Sequence, residues 1–294
     1  MEKIKFLIVM SVCLIFISCE KDIRNGLLPG YEPKLVVTSF ISPSDNLSFI
    51  GVASNRPVHG ELLPYPDPGE ISGWISDGES EIKMDAADGG LVFSKDEMLI
   101  VNGKTYNIRI INNKGLKATA RCTIPGKFDH SIAVDTFSVI RENVDPSGYV
   151  NRYRDLTISV RFKDQPRKVN YYRMLGKYIT FFTYHDNDNG DVITIHNDKM
   201  YFNKDLFTDS ESDEKGEIEV TPWTNSYYYD ADSVLMKIYV LDTEESYYLW
   251  HKTILDYKDD ENPFTEPTPV FTNIEGGLGV FTSYSMDSVV FRMK

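Results

Sequence analysis

The chain has 294 residues, 41% hydrophobic and 13% aromatic, with a formal net charge of −13. That apolar content supports a packed core and excludes global disorder. The acidic balance repels phosphates, which excludes nucleic-acid binding, and it repels an anionic membrane face as well.

Residues 1–18 read as a secretory signal peptide. Lys3 and Lys5 form a positive start, and Phe6–Ile17 is an apolar stretch interrupted by Ser11. It is too short to span a bilayer well. The stretch ends in Phe16-Ile17-Ser18-Cys19, which resembles a bacterial lipobox with Phe16 where Leu is usual. The resemblance implies cleavage before Cys19, diacylglycerol on its thiol and acylation of the new amine. Two or three acyl chains hold stably where one does not. Glu20, Lys21 and Asp22 follow, a patch resembling the signal that sends Bacteroidota lipoproteins to the outer face of the outer membrane. With Cys13 in the leader and Cys19 lipidated, Cys122 has no partner for an internal disulfide. It shares a strand face with Leu116, Ala118, Ala120 and Ile124, the setting of a small core residue.

Residues 19–33, with Gly26, Pro29, Gly30 and Pro33, read as a lipidated tether. Lys34–Ile41 is the first strand, and Leu47–Ala53 follows a Pro43-Ser44-Asp45-Asn46 turn. Residues 54–70 carry too much proline for a central strand. Short strands are expected at Gly73–Ser76, Glu81–Met84, Leu91–Phe93, Thr105–Ile111 and 116–124. Strands at this spacing predict an immunoglobulin-like or carboxypeptidase-regulatory-like sandwich over residues 34–125. Pro125-Gly126 is the expected boundary with a second, β-rich domain over 126–294.

That second domain opens with a strand near Ile132–Ile140. Leu156, Ile158, Val160 and Phe162 alternate with polar residues, as a half-buried strand requires. Val169–Tyr184 and Val192–His196 form a hairpin through Asn189-Gly190. Residues 203–217, polar and acidic, read as a loop, and Ser233–Leu241 alternates again. One helix is expected near 243–258, capped by Asp242 with Glu245 three residues on and Tyr247, Trp250, Ile254 and Tyr257 on one face. The chain closes with a Gly-rich loop, from which no phosphate cradle is expected, and a last strand, Met286–Met293.

The tail Asn273-Ile274-Glu275-Gly276-Gly277-Leu278-Gly279-Val280-Phe281, with Pro33-Lys34-Leu35-Val36-Val37 near the start and Thr123-Ile124-Pro125 in mid-chain, resembles a large family of uncharacterised Bacteroidota outer-membrane lipoproteins. Members are commonly encoded beside TonB-dependent receptors. The resemblance implies a surface-exposed accessory or ligand-capturing partner of such a transporter. The alternative is a structural or adhesive envelope lipoprotein without a small-molecule ligand.

Catalytic and metal motifs are weak. Among His59, His130, His185, His196 and His251 no HExxH occurs, although His185 and His196 flank the expected hairpin and would be placed to face each other. His185–Asp191 offers alternate Asp and Asn oxygens suited to calcium. Its glycine stands one place early for a helix–loop–helix site, and Asn197 replaces the bidentate Glu. No cofactor, no metal and no enzyme activity are expected. Trp223 and Tyr227-Tyr228-Tyr229 are the candidate contacts for a ligand or partner, because aromatics in turn-rich segments provide stacking surface.

Overall fold

Period-two alternation of apolar and polar residues dominates the chain, and a segment so patterned buries one face only as a strand of a sheet. The computed structural model describes residues 32–55, 70–127, 129–165, 168–186, 190–210, 216–223, 232–259 and 269–293. Cys19, the leader and most of the tether lie outside the described residues, as do positions 56–69. In chain order the strands are β1 (Leu35–Ile41), β2 (Leu47–Ser54), β3 (Ile71–Ser76), β4 (Glu81–Lys83), β5 (Asp85–Ala87), β6 (Gly90–Ser94), β7 (Thr105–Asn112) and β8 (Lys117–Thr123). They continue as β9 (Ala133–Val144), β10 (Val150–Lys163), β11 (Tyr171–Asp186), β12 (Gly190–Phe202), β13 (Leu206–Thr208), β14 (Glu217–Val220), β15 (Pro222–Trp223), β16 (Ser233–Thr243) and β17 (Gly277–Met293). Helix α1 (Glu245–Asp259) lies between the last two strands.

The chain is mostly β, and its sheets pack as sandwiches. A ten-stranded sheet runs β15-β12-β11-β16-β17-β1-β2-β6-β5, with β13 also on β11. A four-stranded sheet, β4-β3-β7-β8, packs on its β1-β2-β6 part. Between them lies a first core with Leu35, Val37, Ile50, Ile75, Phe93, Ile110 and Cys122. A three-stranded sheet, β14-β10-β9, covers the β11-β16 part. The second core there contains Val160, Phe162, Tyr172, Met174, Met236 and Ile238. Ile274 and Phe281, from the end of the chain, belong to the first core.

Strand β17 explains this. Its first part, Gly277–Ser283, pairs parallel with β1, and its second part, Tyr284–Met293, pairs antiparallel with β16. One 17-residue strand therefore lines both cores. Two of the glycines expected in a closing loop, Gly277 and Gly279, instead lie at the start of this strand, where a neighbouring backbone occupies the space a side chain would fill. A Cβ on Gly277 would lie 2.7 Å from Leu35 O, and one on Gly279 2.0 Å from Val37 O. Gly279 also holds φ +104°, a conformation that favours glycine.

The three segments singled out in the sequence meet here. Leu35↔Gly277 and Val37↔Gly279 are register partners. Ser283 Oγ donates to Thr123 O at 2.9 Å, and Ile124 is buried. The Asn273 amide donates to Phe281 O at 2.8 Å, and its oxygen accepts the Phe281 N–H at 3.0 Å. It thus acts as an extra rung on the edge of β17 left open between residues 277 and 283. Asn273→Ala removes both bonds beside a buried phenylalanine and is expected to cost about 2–3 kcal/mol, read as a shift in the urea midpoint at unchanged slope.

Two local expectations are corrected. Asp242 does not cap α1: it lies in β16, and Glu244 O accepts the first helical N–H groups, from Tyr247 and Tyr248. Residues 203–217 are not simply a loop, since they contain β13 and the fully buried Asp209. Helix α1 docks through aromatic rings: Tyr247 stacks on His251 at 4.3 Å, and Phe40 meets both at 5.3 and 5.2 Å. Burial there holds the His251 pKa down at about 4.

Candidate functional site

A cleft of about 410 Å³ opens where residues 123–126 at the end of β8, residues 165 and 168–171 at the entry to β11 and the β16–α1 junction (242–245) converge. Gln165, Lys168, Asn170, Asp242, Glu244 and Glu245 are among its lining residues. Strand β16 ends with Asp242 and Thr243, and the turn into α1 presents Glu244. Its carboxylate accepts the Thr123 N–H at 3.0 Å, the Ser246 hydroxyl at 3.0 Å and the Thr282 hydroxyl at 3.3 Å. Burial nevertheless outweighs these bonds and raises its pKa.

Beside the cleft lie two buried polar constellations. His130 is almost fully buried. Its Nε2 lies 2.9 Å from Asp242 Oδ2 and its Nδ1 2.8 Å from Lys163 O, while its main-chain N–H donates to Asp287 Oδ2 at 3.2 Å. Both ring nitrogens thus face acceptors, which suits the doubly protonated imidazolium. Burial pulls the pKa down, but the bonds to Asp242 and Lys163 O and the nearby Asp287 charge prevail, and the pKa is raised. The ring also meets Phe162 and Tyr172 edge-on at 5.6 and 5.7 Å.

The second constellation contains Asp164, Asn170, Tyr172 and Asp209, all buried. Tyr172 donates its hydroxyl proton to Asp164 Oδ1 at 2.7 Å. Asp209 Oδ1 accepts the Asn170 N–H at 2.9 Å, and its Oδ2 accepts from the Asn170 amide at 2.9 Å. Burial and the adjacent Asp209 charge raise the Asp164 pKa against the bond from Tyr172. Sequence reasoning brought none of these residues together: it weighed His130 only against zinc motifs and gave Asp242 a different role. Asp209 lies in an acidic run that reads as solvated, and His130 and Asp242 are 112 positions apart.

The sequence-predicted site residues fall elsewhere. Trp223 is in β15, paired by backbone with Tyr201 at the edge of the long sheet. Tyr227, Tyr228 and Tyr229 lie outside the described residues. His185 and His196 do not face each other: His185 pairs with Asp191, and His196 with Thr180. His185 Nδ1 is 2.9 Å from Asp191 Oδ1 at the exposed hairpin end, and His196 meets the Phe182 ring edge-on. Asn187, Asp188 and Asn189 are outside the described residues. Among the described residues no three His, Cys, Asp or Glu side chains gather as metal ligands. Cys122 is a buried core residue whose thiol pKa burial pushes up.

The surface has a second notable feature. The β9–β10 hairpin exposes Phe137, Val139, Val144, Tyr149 and Val150, with Phe137 and Tyr149 67% and 68% exposed. The β11–β12 hairpin exposes Tyr184, Ile193 and Ile195. Opposite Ile193 and Ile195 in register stand Thr183 and Phe181, and the Arg292 guanidinium lies over the Phe181 ring at 5.6 Å.

Fold and site together define a β-sandwich protein with a cleft rimmed by carboxylates and with exposed apolar residues on two hairpins. The chain belongs to the family described as "Domain of unknown function (DUF4249)", which matches residues 23–289. No curated protein matches it. One solved structure, described as "Structural basis for the promiscuous specificity of the carbohydrate-binding modules from the beta-sandwich super family", is similar at 9% identity. The match covers 72% of this chain and 97% of that one at a TM-score of 0.21, a value too low to carry a functional argument.

Proposed function

We propose that the protein is an outer-membrane lipoprotein, anchored through Cys19 and facing the cell exterior, that serves a TonB-dependent transporter as an accessory or ligand-capturing partner. The observation that carries this reading is the set of exposed apolar side chains on the β9–β10 hairpin, Phe137, Val139, Val144, Tyr149 and Val150, and on the β11–β12 hairpin, Tyr184, Ile193 and Ile195. Several large apolar side chains exposed on one element mark an interaction site. Strand β9 is moreover an edge strand, and an edge can accept a partner's backbone. The acidic surface resists adsorption to anionic lipid, so the acyl chains do the holding while the hairpins stay available. The cleft beside Glu244 and Lys168 offers a place for a small ligand.

Detergent extraction of the native lipoprotein, followed by affinity capture and identification of its partners, tests the reading. A coeluting β-barrel receptor is expected, and Phe137→Asp with Tyr149→Asp is expected to cut its recovery at least about tenfold, the effect of one or two interface anchors. The thermal midpoint of that variant should stay within about 1 °C of the unmodified protein, because both side chains are solvent-exposed. A partner set without any barrel would contradict the reading.

A further inference from the structure

The outward face of the β4-β3-β7-β8 sheet is charged differently from the chain as a whole. Ile75, Ile108, Ile110 and Cys122 are buried on its inner face, so the residues that alternate with them face outward. Two rungs of register partners cross this outward face. One runs Lys83–Trp74–Arg109–Thr119 and continues to Glu275 through an antiparallel bridge, and the next runs Glu81–Ser76–Asn107–Arg121. With Lys117, two places before Thr119 on β8, the strand positions of this face carry four cations, against the carboxylates of Glu81 and Glu275. Positive charge is thus in local excess on a chain whose net charge is −13.

Both rungs contribute to a groove of about 480 Å³ lined by, among others, Glu81, Asn107, Arg109, Arg121 and Glu275. Its two arginines are held differently. The Arg109 guanidinium lies over the Trp74 ring at 4.0 Å, and its Nη2 is 3.4 Å from Glu81 Oε1. An arginine already held on an aromatic ring loses less freedom when it takes a ligand. The Arg121 side chain makes no hydrogen bond or ion pair among the described residues, and neither does the Asn107 side chain opposite it in register. Arg109 and Arg121 stand on neighbouring strands two residues out of register, a diagonal spacing of about 7–8 Å. Like charges so placed repel, and an anion between them turns that repulsion into two attractions.

The other groups in the groove narrow the ligand further. Glu81 and Glu275 repel a bare inorganic anion, but they accept hydrogen bonds from hydroxyl groups. The Asn107 amide offers two donors and an acceptor, and Ser76 Oγ, which accepts the Gly78 N–H at 3.1 Å, keeps its own hydrogen to donate. This mixture fits a molecule that carries both carboxylates and many hydroxyls. A peptide that adds as a further strand is a poorer fit, because such a peptide needs an open sheet edge. On the β8 side Thr119 and Glu275 exchange both backbone hydrogen bonds, at 3.0 and 2.8 Å, and on the other side β4 is only three residues long.

We propose that this groove binds an acidic oligosaccharide, with its carboxylates on Arg109 and Arg121 and its hydroxyls on Ser76, Asn107, Glu81 and Glu275. The groove shares no residue with the hairpins assigned to the receptor contact, so the proposal is independent of that reading.

The test is calorimetric titration of the full-length lipoprotein in detergent with trigalacturonate at pH 7 and low salt. Saturable binding is expected, together with a change in tryptophan fluorescence that Trp74→Phe removes. Arg121→Gln should weaken binding at least about tenfold, the effect of losing one charge-assisted hydrogen bond. That side chain has no bond to lose before the ligand arrives, so the variant should keep its thermal midpoint. Arg109→Lys keeps the charge but loses the planar fork of donors, and it should weaken binding to a similar extent. Arg161→Gln, on β10, should leave the affinity unchanged. The methyl ester of trigalacturonate keeps the hydroxyls but not the charges, and it should bind at least about tenfold more weakly. Absence of saturable heat at millimolar trigalacturonate would overturn the proposal. Equal binding of the methyl ester would overturn it too, because the arginines would then not be reading charge. Equal or tighter binding of triglutamate, which has carboxylates without sugar hydroxyls, would reassign the groove to an acidic peptide and overturn it likewise.

Discussion

Gly279→Ala is expected to destabilise the protein by about 3–5 kcal/mol, a large part of the 5–15 kcal/mol typical of a folded domain. Two effects add. The residue holds φ +104°, where an L side chain is strained by about 1–3 kcal/mol. The new methyl would also stand 2.0 Å from Val37 O and 2.9 Å from Val37 C, atoms of the paired strand β1 that cannot move without breaking the parallel ladder. Forcing atoms into a packed site costs about another 1–3 kcal/mol. Gly103→Ala separates the two effects. That glycine has φ +78° but nothing within 4 Å of the added methyl, so only the backbone strain of about 1–2 kcal/mol should appear. Urea unfolding of both variants checks the comparison, and equal costs would show that the close approach of β1 and β17 is not what demands glycine.

His130→Ala comes next in size, at about 3–5 kcal/mol near pH 6. The change leaves Asp242 buried without its cationic partner, and breaking one side of a buried pair costs that much. It also removes ring contacts to Phe162 and Tyr172. The same pair sets a pH dependence. The folded-state pKa of His130 is raised above the unfolded value of about 6.5. The folded chain therefore binds the proton more tightly than the unfolded chain does. Its stabilisation is complete below pH 6.5 and is lost as pH rises through the folded-state pKa. Asp164 and Glu244 are also raised and act with the same sign, but over a window that begins near pH 4. His251 acts oppositely. Its pKa is lowered to about 4, so its contribution is present above pH 6.5 and is lost as pH falls through about 4. Unfolding free energies at pH 6 and pH 9 should thus fall with pH in the unmodified protein more steeply than in His130→Ala. Parallel slopes would mean that His130 is not charged in the folded state.

The strands were legible because each buries one face. Val160 and Phe162 are buried while Ser159 and Arg161 are half-exposed, the alternation written in residues 156–162. The same holds for β1 and β16, whose burial alternates along most of their length. The start of β17 was hidden, because Gly277 and Gly279, and Gly276 in the turn before them, carry no alternating pattern. Their reason for being glycine lies in Lys117 O, Leu35 O and Val37 O, which only the fold brings close. Asp242 looked like a helix cap, since an acidic residue before an amphipathic stretch signals one. The competing partner, His130, is supplied by a distant segment that local sequence does not reveal. Asp209 was concealed by its neighbours: an aspartate in a polar run reads as solvated, yet the pairing of β13 with β11 draws it inside. The aromatic segment 227–229 lies outside the described residues, whereas the exposed Phe137, Ile193 and Ile195 sit in strands where apolar residues read as core, and Tyr149 lies in the turn between β9 and β10.

The most direct test of the proposed role is photo-cross-linking in intact cells from probes at positions 149 and 193, one on each hairpin. An adduct between either position and a β-barrel outer-membrane receptor is the expected result. Adducts that contain no membrane receptor from either hairpin, in cells where the lipoprotein is folded and anchored, would contradict it.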